Sequence, residues 1–303
     1  MSGRRETLTL PDGRHLDVLE AGARSGVPTL YFHGTPSSAR ETDWLDRAAR
    51  AHDVRIVAFD RAGYLGSERT ERASLLSGAH DALAVADILG LGRFATVGFS
   101  GGAGYALTAA AVAPDRVTVA HLCGGLAAGS GGELPRARRL AFRGAAQMPW
   151  LLRPLLAGAL RLNLRGLDKR LADPRAAARW FFEGPAKGAQ IDAIDAYVEA
   201  SDPSDLEAQL RDMARALRAS HAVVSDIAAY GGDWPFDVSA VQAPVELWHG
   251  DADPAVPIGQ ARRLAASLPT ATLHAFEGEG HFVIHSHGDE IAASIRRHAM
   301  ARP

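Results

Sequence analysis

Short apolar runs alternate with longer helical patterns through the first 125 residues of this 303-residue chain. Apolar runs of roughly four to eight residues bounded by turn residues are typical of strands, whereas helices need longer stretches with a 3.6-residue period. The runs that predict strands are His15–Glu20, Thr29–Phe32, Val54–Phe59, Phe94–Val97 and Val117–Leu122. Helices are predicted between them over Glu41–Ala51, Leu76–Leu89 and Gly101–Ala113. This β-α-β alternation indicates an α/β protein with a mostly parallel sheet flanked by helices.

The alternation stops near Gly124 and resumes near Pro244. The residues between them have helical patterns interrupted by prolines, each of which limits a helix. We therefore predict a core domain of residues 1–125 and 236–303, with residues 126–235 inserted as an all-helical cap. In the second part of the core, the pattern predicts a strand, a helix, a strand and a terminal helix at Val245–Trp248, Ile258–Ser267, Ala271–Phe276 and Asp289–Ala299.

One glycine-rich segment, Gly98-Phe99-Ser100-Gly101-Gly102, lies between a predicted strand and a predicted helix. Glycines around the serine allow a positive φ and a close approach of helix to strand, so the hydroxyl projects from a tight turn. The turn also lies at the positive end of the helix dipole. The G-x-S-x-G pattern alone is only moderately specific, because the chain has 31 glycines. Its position between strand and helix makes Ser100 the candidate nucleophile.

A serine hydroxyl needs a base to take its proton, and the base needs an acid to orient it. We favour His281 as the base because it lies in a glycine-rich loop directly after the last predicted strand, at the sheet edge that also carries Ser100. His285 and His287 are competitors, but both fall near the start of the terminal helix, where we expect solvated side chains. Their His-x-His spacing is a weak metal signal, and we predict no metal site.

The acid is expected in Trp248–Pro257, the loop that leaves the preceding strand. Asp253, which is followed by a proline, is favoured over Asp251, whose alternative role is that of a turn or capping aspartate. The chain order is then Ser100, Asp253, His281. Enzymes with a nucleophile elbow use this order, and the two unrelated serine-protease folds use others.

Acyl transfer also needs backbone donors for the oxyanion that develops on the carbonyl oxygen. The loop His33-Gly34-Thr35-Pro36-Ser37-Ser38 follows a predicted strand, and the N–H groups of Thr35 and Gly101 are the candidate donors. The alternative is that this loop is a plain strand-to-helix turn. The residues that we expect to line the substrate pocket are His33, Gly34, Phe99 and Phe282.

Together these motifs and the segment Asp60–Ser67 resemble the α/β-hydrolase superfamily over residues 5–125 and 240–300, with the insertion where that family has its lid. The resemblance implies an α/β-hydrolase fold of the capped, esterase- or lipase-like kind. It implies that Asp60–Ser67 is a structural loop without a catalytic role. It also implies roles for the candidates named above: a catalytic triad of Ser100, Asp253 and His281, and an oxyanion hole formed by Thr35 and Gly101.

Two departures from the superfamily narrow the chemistry. Ser100 stands where the epoxide hydrolase and haloalkane dehalogenase branches have an aspartate, which disfavours those reactions. The His-Gly-Thr-Pro loop differs from the glycine-rich version of the peptidases, which weakens a proline-iminopeptidase interpretation.

Composition narrows the class of protein further. The charged fraction of 22% and hydrophobic fraction of 47% are typical of a water-soluble globular protein. The net charge of −2 argues against nucleic-acid binding. No apolar signal core follows Met1, so we expect a cytoplasmic protein without stable membrane insertion. The one cysteine, Cys123, excludes an intramolecular disulfide and is expected to be a buried thiol.

The predicted cap has an uneven charge distribution. Leu134–Arg179 is rich in arginine and leucine, whereas Gln190–Asp233 is rich in acidic residues. A basic amphipathic stretch can contact an anionic substrate, a carrier protein or a lipid surface, but it is more often a solvated face balanced by acidic helices, which we favour here. The expected partner is a small-molecule substrate. The motifs require no cofactor, and the sequence leaves a homodimer open.

These observations favour a serine hydrolase that cleaves an ester or related acyl bond of a small, partly apolar molecule. The same triad would also serve a hydrolase of a carbon–carbon bond, lactone, thioester or amide. Two further alternatives are a ligand-binding member of the fold without turnover, and a cyclisation or elimination enzyme in which the serine is dispensable.

Overall fold

The computed structural model describes residues 3–71, 73–128, 136–148, 150–151, 154–155, 157–158, 170–186 and 191–301. The strands are β1 (Arg4–Thr9), β2 (His15–Gly22), β3 (Val27–Phe32), β4 (Val54–Phe59), β5 (Phe94–Phe99), β6 (Val117–Cys123), β7 (Val245–Gly250) and β8 (Ala271–Phe276). They form one sheet in the order β1-β2-β4-β3-β5-β6-β7-β8. β2 pairs antiparallel with β1 and β4, and every other neighbouring pair is parallel.

Burial along the strands explains their sequence patterns. Every residue of β5, β6 and β7 is buried, as expected for central parallel strands covered on both faces. The edge strand β1 instead alternates between exposed and partly buried residues. The predicted α/β-hydrolase fold, with a mostly parallel sheet flanked by helices, is confirmed. β5 extends two residues beyond its predicted end at Val97, so that it stops directly before Ser100.

The helices whose bounds the structure gives are α1 (Asp46–Ala51), α2 (Leu75–Ile88), α3 (Ala103–Val112), α4 (Arg136–Gln147), α5 (Pro174–Ala186), α6 (Ile191–Ala200), α7 (Pro203–Arg218), α8 (Ser220–Tyr230), α9 (Gly259–Ser267), α10 (Val283–Ser286) and α11 (Gly288–Ala301). Short 3₁₀ helices cover Ala39–Trp44, Ser100–Gly102 and Val238–Ala240. α3 is buried over its first eight residues, since its alanines and glycines let it pack closely against the sheet. Among the described residues, no helix combines the length and apolarity needed to cross a bilayer.

Helices α4 to α8 lie between β6 and β7, in the part of the chain predicted to be the cap. α5 packs against α6 and α7, and α8 packs against α4. Residues 159–169, in the middle of the predicted basic stretch Leu134–Arg179, lie outside the described residues. The boundaries of the two domains stay a prediction. The helix of this group that matters most for the site is α8, because it reaches the carboxyl ends of the central strands.

Candidate active site

Ser100 follows β5 directly and has a φ of +51°, in the left-handed region that non-glycine residues rarely adopt. The backbone around it is packed too closely for side chains. A Cβ on Gly98 would lie 2.5 Å from the Gly102 carbonyl oxygen, and one on Gly102 would lie 2.0 Å from that of Phe32. The glycines of the motif are therefore required by the tight turn, which leaves the Ser100 hydroxyl at the carboxyl edge of the sheet.

The loops after β7 and β8 bring an aspartate and a histidine to this hydroxyl. His281 Nε2 lies 3.0 Å from Ser100 Oγ, and His281 Nδ1 lies 2.7 Å from Asp253 Oδ2. Asp253 and His281 are both buried. Three side chains from three separate loops thus form one chain of hydrogen bonds in the order serine, histidine, aspartate.

The local backbone holds the Asp253 carboxylate in this chain. Asp253 Oδ1 accepts hydrogen bonds from the N–H groups of Ala255 at 2.7 Å and Val256 at 2.9 Å. Burial alone would raise the pKa of Asp253, but the hydrogen bond and charge of His281 and the Val256 N–H outweigh it, so the pKa lies below its ordinary value. Asp251, the weighed alternative, accepts a hydrogen bond from the Gly278 N–H at an exposed turn.

The two residues predicted as oxyanion donors, Thr35 and Gly101, lie against each other beside Ser100. A Cβ on Gly101 would lie 3.2 Å from the Thr35 nitrogen and 2.4 Å from its hydroxyl oxygen, so this contact requires glycine. Within the part of the chain that the structure describes, the Thr35 N–H makes no hydrogen bond. It is therefore available to an oxygen bound at this turn.

Of the two loop residues predicted to line the pocket, Gly34 lies against Ser100, since a Cβ on it would be 3.5 Å from the Ser100 Cβ, whereas the His33 ring lies behind the Thr35 loop. His33 Nδ1 donates to the Gly34 carbonyl at 2.8 Å, and Nε2 accepts from the Arg61 N–H at 3.1 Å. Burial, followed by the charge of Arg61, lowers the pKa of His33 well below its ordinary value. The Gly34 N–H donates to the buried Glu41 carboxyl, whose pKa burial raises to about 7. Both ring nitrogens of His33 are engaged, so this residue supports the loop.

A cavity of about 280 Å³ opens at Ser100 and Thr35. Its wall is mostly apolar and combines core residues with residues of α4 and α8. The described residues that line it are Thr35, Pro36, Ser100, Gly101, Leu126, Phe142, Val223, Asp226, Ile227, Tyr230, Ala255 and Val256. A space of this size and character suits a small, largely apolar ligand.

The predicted pocket residues Phe99 and Phe282 are not among the described residues that line this cavity, and they lie in an aromatic cluster beside His281. The Phe99 ring centroid is 4.9 Å from that of His281 and 5.3 Å from that of Trp44. Phe282 and Trp44 line a second cavity of only about 20 Å³, together with His285. His285 was expected to be solvated, but its ring packs against Tyr197 with centroids 4.8 Å apart. Burial lowers the pKa of His285.

A model of the α/β hydrolase fold family matches residues 28–288. The chain belongs to the α/β-hydrolase family. This α/β hydrolase is 25% identical over 289 residues to the non-heme chloroperoxidase of Streptomyces lividans, covering 93% of this chain and 94% of the relative. It is also 25% identical over 290 residues to the 2-hydroxymuconate semialdehyde hydrolase of Pseudomonas putida, covering 92% of each. Its fold is similar to that of the bromoperoxidase from Bacillus anthracis, with a TM-score of 0.70, 19% identity and coverage of 98% of this chain and 100% of the other. The family model establishes the enzyme family, and the names of these relatives describe different reactions, so the substrate stays open.

Sequence reasoning missed a buried carboxylate that α8 brings to the site of this α/β hydrolase. Asp226 Oδ1 accepts a hydrogen bond from the Tyr105 hydroxyl at 2.7 Å. Asp226 Oδ2 accepts from the Thr35 hydroxyl at 2.7 Å, the Tyr64 hydroxyl at 2.7 Å and Arg61 Nη2 at 2.5 Å. The segment Asp60–Ser67, to which we assigned only a structural role, thus reaches the site through Arg61 and Tyr64.

His249 was also missed, although it lies beside the Asp253 carboxylate. Its Nε2 donates to the Val256 carbonyl at 2.8 Å and lies 3.5 Å from Asp253 Oδ2. Burial lowers the pKa of His249. Its position in the Trp248–Pro257 loop is the only signal that the sequence offers, since a lone histidine at the end of a strand has many roles.

Proposed function

We propose that this α/β hydrolase is a serine hydrolase that cleaves an ester or related acyl bond of a small, partly apolar molecule. The observation that carries the proposal is the hydrogen-bonded chain of Ser100, His281 and Asp253, in which Ser100 Oγ and His281 Nε2 are 3.0 Å apart. This distance is within the reach that proton transfer from a nucleophile to a base requires.

In the acylation half of the reaction, Ser100 Oγ attacks the carbonyl carbon of the substrate while His281 Nε2 takes the hydroxyl proton. The carbonyl π electrons move to oxygen, and the N–H groups of Thr35 and Gly101 hold the resulting oxyanion. As this intermediate collapses, the bond between the acyl carbon and the leaving oxygen breaks, and that oxygen takes the proton from His281 and departs as the alcohol. The product of these steps is an acyl ester on Ser100.

In the second half, a water molecule gives a proton to His281 and attacks the acyl carbon. The second intermediate then releases the carboxylic acid, and the proton on His281 returns to Ser100 Oγ. Asp253 keeps the Nδ1–H tautomer of His281 and stabilises the imidazolium that forms in both halves. Its lowered pKa supports this role, because the carboxylate stays ionised at neutral pH.

The lining of the larger cavity supports a small and largely apolar substrate. Leu126, Val223 and Ile227 provide apolar surface close to Ser100 and Thr35. Such a wall favours short acyl or alkyl groups through the hydrophobic effect.

The decisive variant is Ser100→Ala. We expect it to lose fluorophosphonate labelling and to lower kcat for p-nitrophenyl butyrate by roughly 10⁶-fold, as for removal of a nucleophile from a triad. Ser267→Ala, which removes an exposed hydroxyl on α9 that donates to the Arg263 carbonyl, is the matched control and should behave as wild type. Full retention of labelling and hydrolysis in Ser100→Ala would exclude the proposed mechanism.

A carbon–carbon bond hydrolase is the second candidate, because one of the two relatives described above is a 2-hydroxymuconate semialdehyde hydrolase. Acyl-transfer machinery is shared between these reactions, so a panel of ester, lactone, thioester, amide and vinylogous 1,5-diketone substrates is needed to separate them. The substrate class with the highest kcat/KM in wild type, and with no turnover in Ser100→Ala, identifies the bond that is cleaved.

A further inference from the structure

One helix, α8, contacts both residues that we propose as oxyanion donors. Asp226 accepts the hydrogen bond of the Thr35 hydroxyl at 2.7 Å. Tyr230 donates its hydroxyl to the Gly101 carbonyl at 2.6 Å and accepts from the Gly104 N–H at 3.0 Å. Residues four positions apart lie on the same face of a helix, so a single face of α8 reaches both halves of the turn around Ser100.

We propose that Asp226 and Tyr230 are positioning residues that fix the two oxyanion donors, so that the oxyanion hole is complete only when α8 is docked on the core. This inference rests on the proposed serine-hydrolase function and deepens it. It assigns to α8 a role in the rate of the reaction as well as in the shape of the cavity.

Arg61 binds the Thr35 side chain and also the backbone of the loop that carries Thr35. Arg61 Nη1 donates to the His33 carbonyl, and Nη2 donates to the Gly34 carbonyl at 3.3 Å and to the Thr35 hydroxyl at 2.9 Å. The guanidinium is 3% exposed, and Asp226 is the acid that pairs with it. A buried charge without its partner is strongly unfavourable, so docking of α8 and order in the Thr35 loop stabilise each other.

The Asp226 carboxylate is engaged by fixed donors on both oxygens. Burial, followed by the charge of Asp226, holds the pKa of Tyr64 and Tyr105 well above their ordinary value, so both hydroxyls remain donors throughout the working pH range. Arg61 also stays charged. Asp226 therefore accepts hydrogen bonds from donors that do not change, which suits a residue that orients its neighbours.

Kinetics of two substitutions test the proposal. Asp226→Asn removes the charge and keeps the shape, and Tyr230→Phe removes only the hydroxyl. We expect each to lower kcat for p-nitrophenyl butyrate by roughly 10- to 100-fold, less than the roughly 10²- to 10³-fold loss when an oxyanion donor is removed, while KM changes less than about twofold. Ser225→Ala, a partly exposed neighbour on α8, is the control and should leave both constants unchanged.

Two additional readouts separate positioning from simple stabilisation. A trifluoromethyl ketone adds to the Ser100 hydroxyl, and the ketone oxygen of the adduct becomes an oxyanion. Its inhibition constant should therefore rise by the same factor by which kcat falls. Thr35→Val, which loses the hydroxyl but keeps the N–H, should behave as Asp226→Asn, and Thr35→Ser should restore kcat to within about threefold of wild type. If Asp226→Asn and Tyr230→Phe lower the melting temperature but leave kcat and ketone inhibition unchanged, these residues only anchor the helix and the proposal is wrong.

Hydrogen exchange makes the test independent of any substrate. Amides in residues 33–38 should exchange faster in Asp226→Asn, and those in residues 100–104 faster in Tyr230→Phe, than in Ser225→Ala. Equal exchange in the variants and the control overturns the proposal even where wild type fails to cleave the ester. Failure of wild type to react through Ser100 overturns the proposed function instead.

Discussion

Two buried aspartates serve the site, Asp253 from the core and Asp226 from α8, and their partners differ. Asp253 contacts the His281 ring and two backbone N–H groups, with the His249 ring 3.5 Å away. Asp226 contacts a guanidinium and three hydroxyls. In the proposed mechanism the His281 ring takes the Ser100 proton, whereas the Arg61 guanidinium and the three hydroxyls only donate hydrogen bonds. One carboxylate is thus suited to a proton that moves during turnover, and the other to a fixed geometry.

Of the changes that test this comparison, the largest effect is expected at Asp253. Asp253→Asn removes the acceptor that selects the Nδ1–H tautomer of His281, so kcat for p-nitrophenyl butyrate should fall by roughly 10⁴-fold with little change in KM. Asp251→Asn, in the same loop but at an exposed turn, is the matched control and should stay close to wild type. A loss at Asp253 no larger than that in Asp226→Asn would erase the difference between the two carboxylates.

The next effect concerns stability and the Arg61–Asp226 pair. Arg61→Met leaves the Asp226 charge buried without its cation, and we expect the free energy of unfolding, measured in urea, to fall by about 3–5 kcal/mol. Adding Asp226→Asn removes that charge, so the double variant should be less destabilised than the sum of the two single variants by about 0.5–3 kcal/mol. Strict additivity would mean that the two side chains do not act as a pair.

The smallest effect is expected at His285, whose ring packs against Tyr197 of α6. Burial lowers its pKa in the folded protein, so the unfolded chain binds more protons below about pH 6.5 and wild type loses stability there as pH falls. His285→Phe should gain stability relative to wild type between pH 8 and pH 5, by less than about 1.4 kcal/mol per pH unit, in urea unfolding. Its kcat should be unchanged. A changed kcat would mean that His285 affects the reaction in addition to Asp226 and Tyr230.

The core was predictable because its signals are local. Each central strand is a short, mostly apolar run, and Ser100, Asp253 and His281 each follow a strand in a loop rich in glycine or proline. Parallel strands carry their carboxyl ends to one edge, so position after a strand is enough to bring these residues together. The hydrogen bonds at 2.7 and 3.0 Å agree with that expectation of proximity.

Asp226 and its contacts could not be predicted, because the relevant information is not local. Asp226 is one of several polar residues of α8, and its partner Arg61 is 165 residues away in sequence. His33 illustrates a different limit. Its neighbour Thr35 indicates that it is near the site, but only the packing around Arg61 determines that its ring points behind the loop.

The Tyr230 hydroxyl, which joins the Gly101 carbonyl to the Gly104 N–H, has a consequence for engineering. Replacing the helices between β6 and β7 is an obvious way to give this scaffold a new substrate range. A replacement without a hydroxyl at position 230 would leave a donor and an acceptor close to Ser100 without their partner. Under the proposed function, substrate selectivity and turnover would change together, so the replacement should keep an aspartate and, four residues later, a tyrosine.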